Sequence, residues 1–379
     1  MKIYTWLSAA IMGGIVWTSA EAIETTAKNA ILMDYDTGEY LYTKDAFVPV
    51  PPASMSKLMT IYILFEKIKG GAISLEDTFT VSENAWRKGG AASGSSTMFL
   101  PLGETVTVED LIKGILIQSG NDACIVVAEN LAGTEEDFAV MMNEKAAELG
   151  LKNSHFENST GLPAPDHKMS VEDLALLARA IIKDFPEFYP IFAEKSFTYH
   201  NIVQGNRNPL LYTMPDADGL KTGHTEEAGF GLTASAKRGD RRIIGVMSGM
   251  SSNKERSEEA EKLMSWGFRE FDNYKLFKQY QRVVNVPVYM GVVPTIDLVA
   301  GEETVLTLPR AAAREAKLTA VYKKPIKAPI KQGEKLGEVR LEVPGQAVRN
   351  IPLYADHSVE KLGLWGRIKA NILYLLGRR

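Results

Sequence analysis

The sequence predicts a mixed α/β domain, a sheet with helices packed on it, followed by a small all-β domain and a terminal amphipathic helix. Three observations predict this. Strand-like runs near residues 30–42 and 195–249 bracket a block of helical patterns. Beyond residue 282 the strands are short, alternating and punctuated by Pro and Gly. The last twenty or so residues space their apolar side chains by three and four among basic ones.

The elements follow in order. Residues 1–22 carry Lys2, an apolar uncharged run over 3–17 and the small residues Ala20 and Ala22, the pattern of an export signal cleaved after Ala22. The run is short for a spanning helix, which needs about 20 apolar residues, although an uncleaved anchor is the other reading. Residues 30–42 read as a hairpin around Asp36-Thr37-Gly38. A Gly/Ser-rich loop at 89–96 has the composition of a connector or of a loop bordering a binding site. Thr107-Val108-Glu109-Asp110 and Ser170-Val171-Glu172-Asp173 resemble capping boxes that open helices. Strands are expected at 195–203, 228–236 and 241–249, then a helix at 254–271. A boundary is placed near 272–280, so the first domain spans 23–275 and the all-β domain 282–355. Residues 359–379 form the basic amphipathic helix, with Leu362, Trp365, Ile368 and Ile372 among Lys361, Arg367 and Lys369. Such a helix suits a membrane interface, or a groove on the protein's own surface.

Composition narrows the function. With 379 residues, 45% apolar and 24% charged, the chain is ordinary globular protein. Its net charge of −4 argues against nucleic-acid binding. The single cysteine, Cys124, allows no internal disulfide and sits in an apolar run that suits a buried small hydrophobe. His155, His167, His200, His224 and His357 show no metal-ligand spacing, so neither metal nor cofactor is expected.

The chemistry is carried by three short words. Ser54-Met55-Ser56-Lys57 follows Pro51-Pro52 and precedes the apolar run 58–65. Spacing i, i+3 puts Ser54 and Lys57 on one helix face. A serine hydroxyl needs a base, and a lysine serves as one only if burial or neighbouring cations lower its pKa. Alone, this tetrad is as consistent with a helix cap beside a solvated lysine. Ser119-Gly120-Asn121 lies 65 residues on, and Lys221-Thr222-Gly223 a further 102. Three such motifs in this order are the signature of penicillin-binding proteins and class A β-lactamases, with S-G-N here where the usual middle word is S-D-N.

With its surrounding words, Pro51-Pro52-Ala53-Ser54-Met55-Ser56-Lys57-Leu58-Met59-Thr60, Gln118-Ser119-Gly120-Asn121-Asp122-Ala123 and Asp218-Gly219-Leu220-Lys221-Thr222-Gly223-His224-Thr225, the chain resembles the D-alanyl-D-alanine carboxypeptidases among low-molecular-mass penicillin-binding proteins. The resemblance covers nearly the whole chain. It implies a transpeptidase-like (β-lactamase-like) catalytic domain with a helical subdomain, then a β-rich domain. It implies that Ser54 attacks the carbonyl between two D-alanines of a peptidoglycan stem peptide with Lys57 as base. Ser119 would relay a proton to the leaving amine, and Asn121 would hold the substrate amide or Lys57. Lys221, Thr222, Gly223 and His224 would line a strand edge that pairs with the substrate. Arg207 and Arg256 would line its carboxylate end, unless they serve structural salt bridges. β-Lactams would acylate Ser54. The expected location is the periplasmic face of a bacterial inner membrane, held by residues 359–379.

The same residues bear on other readings. His224 tempts a Ser-His mechanism, but its place beside Lys221-Thr222-Gly223 accounts for it. A class A β-lactamase would add an E-x-x-L-N word between the second and third motifs, and none occurs. A non-catalytic penicillin sensor would be signalled by loss of Ser54 or Lys57, and both are present. A DD-endopeptidase is not separable from a carboxypeptidase at this level.

Overall fold

The computed structural model describes residues 23–375, so the export signal expected at 1–22 lies outside the described residues. The described chain divides into two compact units, 23–269 and 270–375.

The first unit is built on a five-stranded sheet. Its strands run in the order Tyr40–Lys44, Asn29–Asp34, Arg241–Met250, Gly229–Arg238, Ala217–Thr225. Every pairing is antiparallel. Its two halves come from separate parts of the unit, with the helical block between them in sequence and the helix Asn253–Glu270 after both. Side chains alternate between the faces of a strand, and here both faces are covered. Ile31, Met33, Ile244 and Val246 enter the core shared with the helical block. Leu32 and Ile243 meet Gly267 of the helix Asn253–Glu270 on the other face. This is why Asn29–Asp34 is buried throughout instead of alternating.

The helix Lys57–Lys69 runs through the helical block, and its first nine residues are all buried. A helix apolar on every side belongs in an interior. Around it stand the helices Val108–Leu116, Asn121–Ala132, Glu135–Glu148 and Val171–Asp184. The two expected capping boxes are half made. Thr107 accepts from the N–H of Asp110 and Ser170 from that of Asp173. The returning carboxylates go elsewhere: Asp110 to the Thr107 hydroxyl at 2.8 Å, Asp173 to the Ser154 hydroxyl at 2.7 Å.

The run 195–203 is not a strand of the main sheet. It breaks into a separate hairpin, Ser196–Tyr199 with Ile202–Gly205, because His200 and Asn201 both take positive φ. Two consecutive left-handed residues make a tight hairpin turn. Residues 272–280, read as a boundary, hold the strand Phe271–Phe277, which pairs with Thr304–Pro309.

The second unit adds a six-stranded sheet ordered Lys317–Tyr322, Lys335–Glu342, Arg349–Ala355, Thr295–Ala300, Arg282–Tyr289, Ile326–Lys327. Val286, Leu298, Ile326, Val339, Leu353 and Val359 share its core. The terminal helix spans Leu364–Leu375 and begins later than the pattern suggested. Val359 and Lys361 are taken up by bridges to Ile330 and Gly291, which the helix must clear before it starts.

Gly89 ends the helix Glu83–Gly89 where it crosses the start of Asn121–Ala132, and a Cβ there would lie 2.3 Å from the Asp122 nitrogen. Gly89→Ala should therefore destabilise by about 1–3 kcal/mol, where an open helix end would gain from alanine. Urea unfolding of the two proteins measures it, and an unchanged or raised midpoint would refute the packing.

Candidate active site

Ser54 and Lys57 are brought together by a short turn. Ala53 takes φ 49° and starts a 3₁₀ turn, Ala53–Ser56, that flows into the helix Lys57–Lys69. In a 3₁₀ turn residues i and i+3 eclipse, so Lys57 Nζ lies 2.9 Å from Ser54 Oγ. Nζ also donates to Asn121 Oδ1 at 2.6 Å and to the Thr160 carbonyl. Lys57 is wholly buried. Burial, together with the nearby charge of Arg207, lowers its pKa to about 8.

Asn121 is set by the turn before it. Ser119 has φ 68°, and the helix begins at Asn121. Asn121 donates its side-chain amide to Ser95 Oγ at 2.9 Å and its N–H to the Ser96 carbonyl at 2.8 Å. The Gly/Ser loop thus borders the site. Its continuation is held by the buried Asp122 carboxylate, which accepts from the Thr97 hydroxyl and from the N–H groups of Met98 and Leu100. Ser119 Oγ is buried and among the described residues has no hydrogen-bond partner, an orphan hydroxyl beside the cleft.

Sequence reasoning missed the segment 158–161. Asn158 Oδ1 accepts from the N–H and hydroxyl of Thr160 at 3.1 and 2.9 Å and from the Gly161 N–H at 2.8 Å. Thr60 and Glu135 fix Ser159 from either side. Gly161 has φ +76°, and a Cβ there would lie 2.1 Å from the Ala53 carbonyl oxygen. The clue was Asn158-Ser159-Thr160-Gly161 itself, an Asx-turn word. Nothing in it says that the Thr160 carbonyl reaches a lysine about a hundred residues earlier.

The third motif lies on Ala217–Thr225, the edge strand of the sheet. Lys221 and Thr222 are buried and His224 is exposed, its ring 3.9 Å from that of Phe230. Burial holds the Lys221 pKa well below its ordinary value, and the charges of Lys57 and Arg207 add to this. Gly223 leaves room for the protein's own chain: a Cβ there would lie 2.8 Å from the Pro52 carbonyl oxygen. The two motif segments can touch only because residue 223 has no side chain.

A cleft of about 620 Å³ collects Ser54, Ser119, Thr222, Gly223 and His224 with Arg207 and Arg256. Arg207 donates to Ser96 Oγ at 2.6 Å, and Arg256 to Asn253 Oδ1 at 2.5 Å, over the Phe230 ring. Among the described residues neither arginine forms a salt bridge, and no carboxylate lines the cleft. Burial lowers the Arg256 pKa to about 10, with Arg207 contributing. A cleft with cationic walls and no internal counter-ion is built to receive an anion.

The family model described as D-alanyl-D-alanine carboxypeptidase matches residues 16–252, and that of the penicillin-binding protein 5 C-terminal domain matches 271–361. The chain is 40% identical over 353 residues to the D-alanyl-D-alanine carboxypeptidase DacC of Escherichia coli, covering 92% of this chain and 88% of that one. It is 37% identical to DacF of Bacillus subtilis, covering 89% and 87%. The crystal structure of penicillin-binding protein 5 from Haemophilus influenzae superposes with a TM-score of 0.80 at 34% identity, covering 90% of this chain and all of that one. The chain belongs to the D-alanyl-D-alanine carboxypeptidase family, whose members are serine hydrolases.

Asn158→Ala removes the acceptor shared by three donors and should cost about 1–3 kcal/mol of stability, read as a lower urea midpoint. An unchanged midpoint would show that the segment holds itself without Asn158.

Proposed function

We propose that this protein removes the terminal D-alanine from peptidoglycan pentapeptides through an acyl-enzyme on Ser54. One observation carries the reading: the Lys57 nitrogen is wholly buried with Ser54 Oγ on one side and two oxygen acceptors, Asn121 Oδ1 and the Thr160 carbonyl, on the others. A neutral amine has two N–H groups and one lone pair. If Asn121 and Thr160 take the two N–H groups, the lone pair is left for the Ser54 hydroxyl. A charged ammonium would instead donate to all three oxygens, so the site holds either form, and the lowered pKa brings the neutral amine that a general base requires within reach.

In this reading the Ser54 proton passes to Lys57 as Oγ bonds to the carbonyl carbon between the two D-alanines. The C–N bond then breaks, and the leaving nitrogen takes a proton through Ser119, whose unpartnered hydroxyl is free to carry it. Water, activated in turn by Lys57, hydrolyses the ester. Backbone N–H groups of Ser54 and His224 supply the oxyanion hole, where a single donor is worth about 10²–10³ in rate. The open edge of Ala217–Thr225 pairs with the extended substrate. Its terminal carboxylate goes to Thr222, Arg207, Arg256 and Lys221, whose depressed pKa rises when that anion enters. A β-lactam acylates Ser54 by the same attack on its strained amide.

The cellular setting belongs to the same reading: export by residues 1–22 and attachment to the periplasmic face of the membrane by the terminal helix. No described helix is long and apolar enough to cross a membrane. Leu364, Trp365, Ile368 and Ile372 are exposed, Trp365 to 82%, which favours an interface over a groove on the protein itself.

The direct test is D-alanine release from a soluble pentapeptide ending in D-Ala-D-Ala. Wild type should release it and Ser54→Ala should not. Labelling by a fluorescent penicillin without release would favour an endopeptidase or a sensor. The second-order rate of penicillin acylation should rise with pH through about 8 and then level off, as Lys57 loses its proton. A flat profile from pH 6 to 10 would remove Lys57 as the base. A chain ending at residue 363 should leave the membrane fraction and keep its soluble activity. Loss of that activity would make the helix part of the fold.

A further inference from the structure

The second unit carries a row of lysines that the activity does not use. Residues 323–331 read Lys-Lys-Pro-Ile-Lys-Ala-Pro-Ile-Lys, four cations and no acid. Within it Ile326–Lys327 is a short strand, flanked by bends and by cis peptide bonds at Lys324-Pro325 and Ala328-Pro329, and burial along it alternates. Ile326, Ala328 and Ile330 are buried in the core of the unit, while Lys327, Pro329 and Lys331 are exposed, as are Lys323 and Lys324. Alternation of this kind fixes which side faces out, so Lys327 and Lys331 are displayed by the packing beneath them. None of the four ammonium groups is in an ion pair among the described residues. Lys324 lies over the Tyr322 ring at 5.1 Å. In a chain of net charge −4 this is a local concentration of positive charge.

Its position gives it a partner. Ile330 and Val359 exchange both backbone hydrogen bonds at 2.9 Å, and Ala328 donates to the Tyr289 carbonyl at 3.0 Å. The Val292 N–H bonds to the Glu360 carbonyl and the Leu362 N–H to the Met290 carbonyl, both at 2.9 Å. Three segments, 288–293, 326–331 and 359–362, are thus stitched side by side where the chain leaves for the helix Leu364–Leu375. From Val359 to Leu364 is five residues, which span at most about 17 Å. The lysine row therefore lies close to the start of the exposed apolar helix. Exposed Val292 and Lys361 lie in the same stitched region, and Glu360 is its one exposed acid besides Glu334, whose carboxylate is engaged by the Lys331 N–H.

We propose that Lys323, Lys324, Lys327 and Lys331 form a second contact with anionic lipid headgroups, so that the β unit itself rests on the membrane surface beside the helix. This rests on the membrane role of the helix proposed above. A helix alone is a swivelling tether; a basic surface beside it fixes the unit against the bilayer. Each basic residue held near an anionic surface strengthens binding by about fivefold.

The test is cosedimentation of the full chain with vesicles of pure phosphatidylcholine and with vesicles containing 30% phosphatidylglycerol. The probe variant carries Lys323→Gln, Lys324→Gln, Lys327→Gln and Lys331→Gln, with a chain ending at residue 363 alongside. Binding of the quadruple variant to anionic vesicles should fall by about tenfold or more, with binding to neutral vesicles unchanged. Its D-alanine release and thermal midpoint should match wild type, since the four side chains are solvent-facing and far in sequence from the cleft residues. Wild-type binding to anionic vesicles should also weaken as salt is raised, a readout that needs no variant. If the shortened chain loses binding while the quadruple variant binds anionic vesicles like wild type, the lysine contact is overturned and the helix reading stands. If wild type binds neither vesicle, both fall.

Discussion

An amine is buried in this protein without a carboxylate to pair with, and the rest of the catalytic unit is arranged around that fact. A buried lysine resists its proton because the charged form loses its hydration. A carboxylate beside Lys57 would restore the proton and abolish the base. The structure instead surrounds Nζ with neutral oxygens from three separate segments. Each segment is then fixed from behind, by the 3₁₀ turn at Ala53–Ser56, by the Asp122 carboxylate and by Asn158. Small residues where these segments meet, Gly161 and Gly223 above all, let the chains close to the distances the lysine needs.

The same electrostatic choice extends outwards. Arg207 and Arg256 line the cleft with no acidic side chain beside them, and the buried Lys57 and Lys221 lie close enough to act on one another. Each cation makes the next harder to protonate, which is unfavourable for the empty site and favourable for an incoming anion. Stability is given up locally so that a substrate carboxylate completes the charge balance. The edge strand beside the cleft adds an open row of backbone groups that an extended peptide can join.

Much of this was legible in the sequence because the decisive features are local. Ser54 and Lys57 sit within one turn, and the apolar run that follows them is the buried helix that desolvates the lysine. The hairpin at 30–42, the strands near 228–249 and the turn at Ser119-Gly120 are each announced by their own residues. What escaped was long-range. The Thr160 carbonyl is a backbone atom with no side-chain signature, and its reach to Lys57 depends on the packing of Gly161 against Ala53. The run 195–203 had strand-like composition, but two left-handed residues in its middle folded it back on itself. The terminal helix starts later than the pattern suggests because a period of three to four does not reveal that Val359 and Lys361 are already bridged to Ile330 and Gly291.

The central claim is that burial makes Lys57 a base at neutral to mildly alkaline pH, and it can be measured without any turnover. Chain labelled with ¹³C at the lysine ε-carbons, compared with a Lys57→Arg variant to assign the signal, gives the titration of this one amine by NMR. The account predicts a midpoint near 8 for Lys57, lowered by burial. A midpoint above 10, the value of a solvated lysine, would contradict it and leave the Ser54 hydroxyl without the base described here.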